Sequence, residues 1–147
     1  VLHQLRALLG DEVFFTAFRR YANDWAMKHP YPYDFFHTFE TVAGRDLQAY
    51  FRTWFYEAWR LDHAIESVEV QDGRTTVRVA DRGRAVHPIV VEASFADGSK
   101  QRRTVPMAEL WRTTSVQVVF EGEAVEVVID PDITSLDCDR DDNRWTK

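Results

Sequence analysis

The stretch that decides the fold is Asp34–Trp59, DFFHTFETVAGRDLQAYFRTWFYEAW. In its second half Leu47, Tyr50, Phe51, Trp54, Phe55, Ala58 and Trp59 recur at the 3- and 4-residue steps of one helix face. Most of these are aromatic, the side chains that carry the largest apolar area, so the stripe demands cover. The helices before it are the natural cover. In the first half Asp34 is read as the cap of a helix burying Phe35, Phe36, Phe39 and Val42. Gly44 stops that helix, and Asp46 caps the next.

Working back toward the start, Leu2, Leu5, Leu8 and Leu9 form one side of a first helix ended by Gly10. Asp11 reads as the N-cap of a second helix, with Glu12 at its positive end. That helix carries Phe14, Phe15, Phe18, Tyr21, Ala22 and Trp25 as its apolar stripe and is predicted to run to about His29, because Pro30 disfavours helix before it. Tyr31-Pro32-Tyr33 reads as an extended link.

Working forward, the grammar changes after Leu61. Short β-branched runs replace the helical period at Ile65–Val70, Thr75–Ala80, Ile89–Phe95, Arg102–Val105, Ser115–Phe120 and Val125–Ile129. Asp72-Gly73 and Asp97-Gly98 are hairpin signals, and Glu121-Gly122-Glu123 is a third tight connection. Lys100-Gln101-Arg102-Arg103 has the charge of an edge strand. In the long link from Pro106 to Thr114, Leu110 and Trp111 are expected to plug one end of the core, and Asp130 to Asn143 reads as irregular. The fold class is therefore α+β in two segregated parts: an all-α helical segment, 1–61, followed by an all-β immunoglobulin-like sandwich, 62–147.

The totals exclude several functions. The net charge of −6 argues against a nucleic-acid partner, which calls for a basic face. No apolar run approaches the roughly 20 residues of a membrane-spanning helix. Cys138 is the sole cysteine, so no internal disulfide forms, and the cellular compartment is left open. The chain opens at Val1 inside an apolar helical pattern, as expected of a piece of a longer protein.

Catalytic signatures are scarce. His3, His29, His37, His63 and His87 show neither H-E-x-x-H nor H-x-H, so a zinc site on these residues is not expected. His3 reads as solvated or at the core edge, and the other four as loop or helix-surface residues. Asp137, Asp139 and Asp141 imitate the first ligands of a calcium loop, but position six is Asp142 where glycine is required. The plainer reading has these aspartates capping turns and pairing with Arg140 or Arg144. Cys138 lacks a neighbouring histidine in sequence, and no G-x-S-x-G is present. No residue is assigned as catalytic, substrate-binding or metal-ligating.

A family resemblance supplies what the chemistry does not. The order of a leucine-rich helix, L-G-D-E with two phenylalanines, an F-x-x-Y helix, a D-F-F helix, G-R-D-L and a W-F helix resembles the end of the catalytic domain of the aminopeptidase N family. These gluzincin metallopeptidases include leukotriene A hydrolase. The match covers about the first 60 residues, and the remainder resembles the β-sandwich that follows in many members, down to Asp130-Pro131 and the ending Leu136-Asp137-Cys138-Asp139-Arg140-Asp141-Asp142-Asn143. The resemblance implies a zinc-dependent hydrolase that removes N-terminal residues from peptides, with its metal ligands and oxyanion tyrosine upstream of Val1. Tyr21, Tyr31, Tyr33, Tyr50 and Tyr56 come too late in the pattern to be that tyrosine. It implies zinc in the parent protein and none in this chain. The expected partners are the upstream catalytic domain and, through it, a peptide. The alternative is a scaffold or interaction module from a zinc-free relative. A carbohydrate-binding sandwich ranks lower, with Trp111 and Trp145 the only tryptophans of the β part. Without the upstream helices the chain is expected to self-associate through Leu2, Leu5, Leu9 or the Phe14–Trp25 face.

Overall fold

A computed structural model describes residues 1–110 and 113–147. It divides into two compact units, Val1–Ala58 and Trp59–Lys147. Helices come first and strands follow, interrupted by one short helix. The fold is α+β.

In the first unit α1 spans Leu2–Leu9 and α2 spans Asp11–Trp25. Gly10 serves both. At φ 79° its N–H closes α1 on Arg6 O, while its own carbonyl accepts from the Phe14 N–H to open α2. Asp11 is thus the first helical residue and not the N-cap. Its carboxylate instead takes two N–H groups of Arg6 at 2.7 Å each. α2 ends four residues short of His29. The chain turns at Ala26 (φ −53°, ψ 128°) and Met27 (φ 61°), with the Lys28 N–H donating to Trp25 O at 3.0 Å. That is a type II turn with a non-glycine residue at its left-handed position.

The third helix, α3, covers Pro32–Ala43 and so begins before Asp34. Proline is well placed in a first turn because it has no N–H to leave unsatisfied. Asp34 still caps, from the third helical position: its carboxylate accepts the Tyr31 N–H at 2.8 Å. Gly44, left-handed at φ 63°, closes the helix with its N–H on Glu40 O. The Asp46 carboxylate accepts the Gln48 N–H at 2.7 Å, and α4 follows at Gln48–Phe51.

The long fourth helix expected from the aromatic stripe breaks off. Arg52–Tyr56 is a π-helical turn, and the backbone is extended at Glu57. A π turn holds more residues than an α turn, so positions beyond Arg52 rotate off the 3.6-residue stripe. Leu47, Tyr50 and Phe51 are buried as expected, but Thr53 turns inward, Phe55 is 45% exposed, and Trp59 lies beyond the helix. The core is a ring lattice: Phe36 stacks on Phe51 at 4.3 Å, and Phe35 and Phe39 approach to 4.4 Å. The Tyr50 hydroxyl donates to Val1 O at 2.8 Å. The stripe of α2 also differs from expectation. Phe14 and Ala17 are buried, whereas Phe15 and Phe18 are 39% and 40% exposed.

The second unit is a sandwich of two antiparallel sheets. Its strands are β1 (His63–Gln71), β2 (Arg74–Asp81), β3 (Ile89–Phe95), β4 (Lys100–Val105), β5 (Ser115–Glu121), β6 (Ala124–Ile129) and β7 (Arg144–Thr146). One sheet has the order β1-β2-β5 and the other β4-β3-β6-β7. With β4 beside β3, the arrangement departs from the constant-type immunoglobulin domain, whose fourth strand joins the first sheet. Asp72 and Gly73, at φ 52° and 72°, form the β1–β2 turn, and Asp97-Gly98 joins β3 to β4. The basic strand β4 lies at an edge, its Lys100 and Arg102 paired with the buried Glu92 carboxylate.

Val77 and Val79 from one sheet and Val91, Val127 and Ile129 from the other belong to one core, with Phe120. Leu110, on a single helical turn α5 (Met107–Leu110), is buried in that core, while Trp111 lies outside the described residues. Sequence periodicity missed β7: three residues are too few to show an alternation, yet Trp145 packs on the core.

Candidate functional site

The densest polar construction is at one end of the sandwich, where residues 130–143 return as a strap. Asp130 starts it, in the left-handed region at φ 49°. Its carboxylate accepts from the N–H and hydroxyl of Thr134 (2.9 Å each), the N–H and hydroxyl of Ser135 (3.0 and 2.7 Å) and the Arg140 guanidinium (2.8 Å). Burial pushes this acid up, but the Arg140, Ser135 and Thr134 donors outweigh it and hold it at about 2.

Farther along, the strap docks on the start of β1. The Cys138 N–H donates to Leu61 O, and the Ile65 N–H to Asp142 O, at 3.0 Å each. Asp137 joins the two: its Oδ2 accepts the His63 N–H at 3.1 Å and the Asn143 side-chain amide at 3.0 Å. Asp137 Oδ1 takes the Asp139 N–H, and Asp139 takes the Asp141 N–H. Asp137 and Asp139 of the run that imitates a calcium loop thus cap turns. The arginines pair elsewhere than expected, Arg140 with Asp130 and Arg144 with Glu126.

Two histidines read as surface residues are buried here, His63 to 1% and His87 to 6% exposure. His87 Nδ1 lies 2.8 Å from Pro88 O, and since a carbonyl only accepts, Nδ1 carries the hydrogen. Among the described residues, Nε2 of both rings is buried without a partner, as are the Oδ1 atoms of Asp62, Asp81, Asp142 and Asn143. Burial pushes His63 down to about 4, against the pull of Asp137, and also lowers His87. Asp81, the cross-strand partner of His63, is pushed up to about 6 by burial and by Asp62 and Asp137. No local signal in the sequence marks His63 or His87. The one available hint is that His63 opens an apolar run, His63-Ala64-Ile65. The remaining histidines are exposed, His37 stacked on Tyr33 at 5.7 Å.

The helical unit offers a different feature. Phe15 and Phe18 on α2, Leu2 on α1 and Phe55 and Tyr56 on the π turn are exposed apolar side chains. Leu5 and Phe14, expected to join that face, are buried in the core. A cleft of about 310 Å³ beside α2 and α3 is lined by Arg20, Asp24, Trp25, Lys28 and His37 among others. Its cations are engaged, Arg20 with Asp24 at 3.5 Å and Lys28 with Asp24 O at 2.6 Å. Among the described residues no three His, Cys, Asp or Glu side chains are placed to hold a metal ion. The zinc that the resemblance implies therefore has no donor set among them.

Comparison with known proteins agrees with the fold. The chain is similar in structure to part of Legionella pneumophila aminopeptidase A, solved in complex with aspartic acid, with a TM-score of 0.66. The likeness is one of fold. Identity is 14%, and the match covers 92% of this chain and 16% of the Legionella chain, so this chain spans about a sixth of that enzyme's length. No family model matches the sequence, and no curated protein does. Trp145, one of the two tryptophans that a carbohydrate-binding surface would need exposed, is half-buried against the sandwich core.

Proposed function

We propose that this chain is a non-catalytic, supporting portion of a zinc aminopeptidase of the gluzincin type, a hydrolase that removes N-terminal residues from peptides. The observation that carries the reading is the bare aromatic surface of the helical unit: Phe15, Phe18 and Phe55 stand 39%, 40% and 45% exposed beside a core that is already complete. An exposed apolar patch of this kind marks a surface that docks a partner. The partner proposed is the catalytic domain, whose zinc would polarise the scissile carbonyl and activate water. A second layer of packed aromatics is what holds such a site to the tolerance that catalysis needs. The likeness to part of an aminopeptidase supports the same reading at the level of fold.

Two measurements test it. Incubated with amino-acid amide substrates and added zinc, this chain is expected to give no turnover; turnover would overturn the proposal. At high concentration, light scattering is expected to show self-association through Leu2, Phe15 and Phe18, reduced about tenfold in affinity by Phe15→Ser with Phe18→Ser. A monomer at all concentrations counts against a docking role for that face.

A further inference from the structure

The end of the sandwich carries an inference independent of any aminopeptidase role. Among the described residues, the buried atoms without a partner at that end include acceptors: three carboxylate oxygens, the Asn143 amide oxygen and, with its ring hydrogen fixed on Nδ1, His87 Nε2. His63 Nε2 is bare beside them. No metal-holding group exists among the described residues to satisfy them. Of these groups, the imidazoles and the carboxylates can change their hydrogen bonding by taking up a proton.

We propose that residues 136–143 form a clasp released by acid, with the buried imidazoles of His63 and His87 as its proton sensors. The clasp is shallow. It is held by backbone hydrogen bonds to Leu61, Ile65 and Ile129, by Asp137, and by the ion pairs Arg82–Asp142 and Arg140–Asp130, while Leu136 and Cys138 face outward. A segment with few buried apolar contacts opens before the core does. His87 spends Nδ1–H on Pro88 O, so an incoming proton lands on Nε2, where no acceptor waits. A buried imidazolium without a partner is costly, and opening the clasp admits the water that relieves it.

Several elements around His63 contribute a charge to this balance. Asp81 faces it from β2, Asp137 from the clasp, Asp130 (itself tied to Arg140) from the end of β6, and His87 from the β2–β3 connection. Each protonated imidazole raises the cost of protonating the other. Both histidines lie below their ordinary value when folded, so stability is complete above about 6.5 and is lost as pH falls toward about 4. Asp81 titrates in the opposite sense, taking up its proton near 6. Asp130, held at about 2, keeps the first turn of the strap closed throughout that window.

The experiment is amide hydrogen exchange on the whole chain from about pH 7 to about pH 4.5, corrected for intrinsic rates, with His Cε1–H titration by NMR. Protection of the Cys138 and Ile65 amides is expected to fall about tenfold or more, while Val91 and Val127 stay protected. His87→Asn keeps a donor for Pro88 O without a titrating group, and it is expected to flatten the fall, as is His63→Gln. The NMR midpoints are expected below the ordinary histidine value. Unchanged clasp protection across the range, or an undiminished fall in the soluble variants, overturns the proposal. Should one variant not fold, imidazole midpoints at or above about 6.5 in the natural protein overturn it equally.

Discussion

The helical unit buries Phe39, Tyr50 and Phe51 to 2% exposure or less while leaving Phe15, Phe18 and Phe55 at least 39% exposed. The sandwich buries valines, isoleucines and alanines and shuts His63, His87, Asp130 and Asn143 in with them. The first unit therefore leaves aromatic rings exposed, and the second gathers buried ionisable groups at one end. The difference follows from how each closes. On α2 the adjacent rings of Phe14 and Phe15 cannot both turn inward, and Phe15 is the one left exposed. A sandwich ends in loops whose backbone needs partners, and the strap supplies them with carboxylates.

The sharpest test of that contrast is a pair of truncations. Phe39→Ala removes a ring in contact with Phe14, Phe18 and Phe35, and is expected to cost about 3–5 kcal/mol by urea unfolding. Val127→Ala, at the centre of the sandwich, should cost about 2 kcal/mol. Equal losses would mean that the aromatic lattice carries no more than an ordinary aliphatic core.

Next comes Gly83→Ala. A Cβ there would stand 2.3 Å from Arg60 O and 2.9 Å from Asp62 N, both backbone atoms that cannot swing aside. About 2–3 kcal/mol should be lost, with the start of β1 displaced in NMR shifts. A neutral outcome would show that the Arg60–Asp62 segment moves freely beneath the strap.

Asp130→Asn is expected to cost about 2 kcal/mol near neutrality, since the five donors on this carboxylate lose their charged acceptor. The pH dependence has a definite sign. The folded acid lies below its unfolded value of 3.8, so its contribution is complete above that value and is lost as pH falls through about 2. Thermal unfolding followed from about pH 5 to about pH 2 should show a drop in midpoint that the Asn variant lacks.

The smallest effect expected is a gain. Met27 occupies φ 61° with its side chain wholly in solvent, so nothing in its own unit offsets the left-handed backbone. Met27→Gly should stabilise by about 0.5–1 kcal/mol, readable as a rise in the thermal midpoint. A loss would mean that Met27 is held in place by a contact this chain makes with something else.

Much of the fold was legible because its signals are local. Gly10 and Gly44 close helices from within four residues, and Asp72-Gly73 and Asp97-Gly98 turn between strands whose β-branched runs lie on either side. Where local reading failed, a neighbour or a wider turn had intervened. Gly10 took the capping place expected of Asp11, and the π turn at Arg52–Tyr56 sent Thr53 inward and Phe55 outward. The candidate site was hardly legible. His63 and His87 look like loop histidines, and only the return of the chain 74 residues beyond His63 places Asp137 on its backbone.

By itself the sequence determined an aromatic helical part followed by a β-sandwich, because period, caps and turns act over a few residues and are written beside the residues they shape. Only the tertiary structure decided which aromatics stay bare and which histidines lose their water. Burial depends on what arrives from distant parts of the chain, and desolvation, not residue type, sets whether an imidazole or a carboxylate holds its proton.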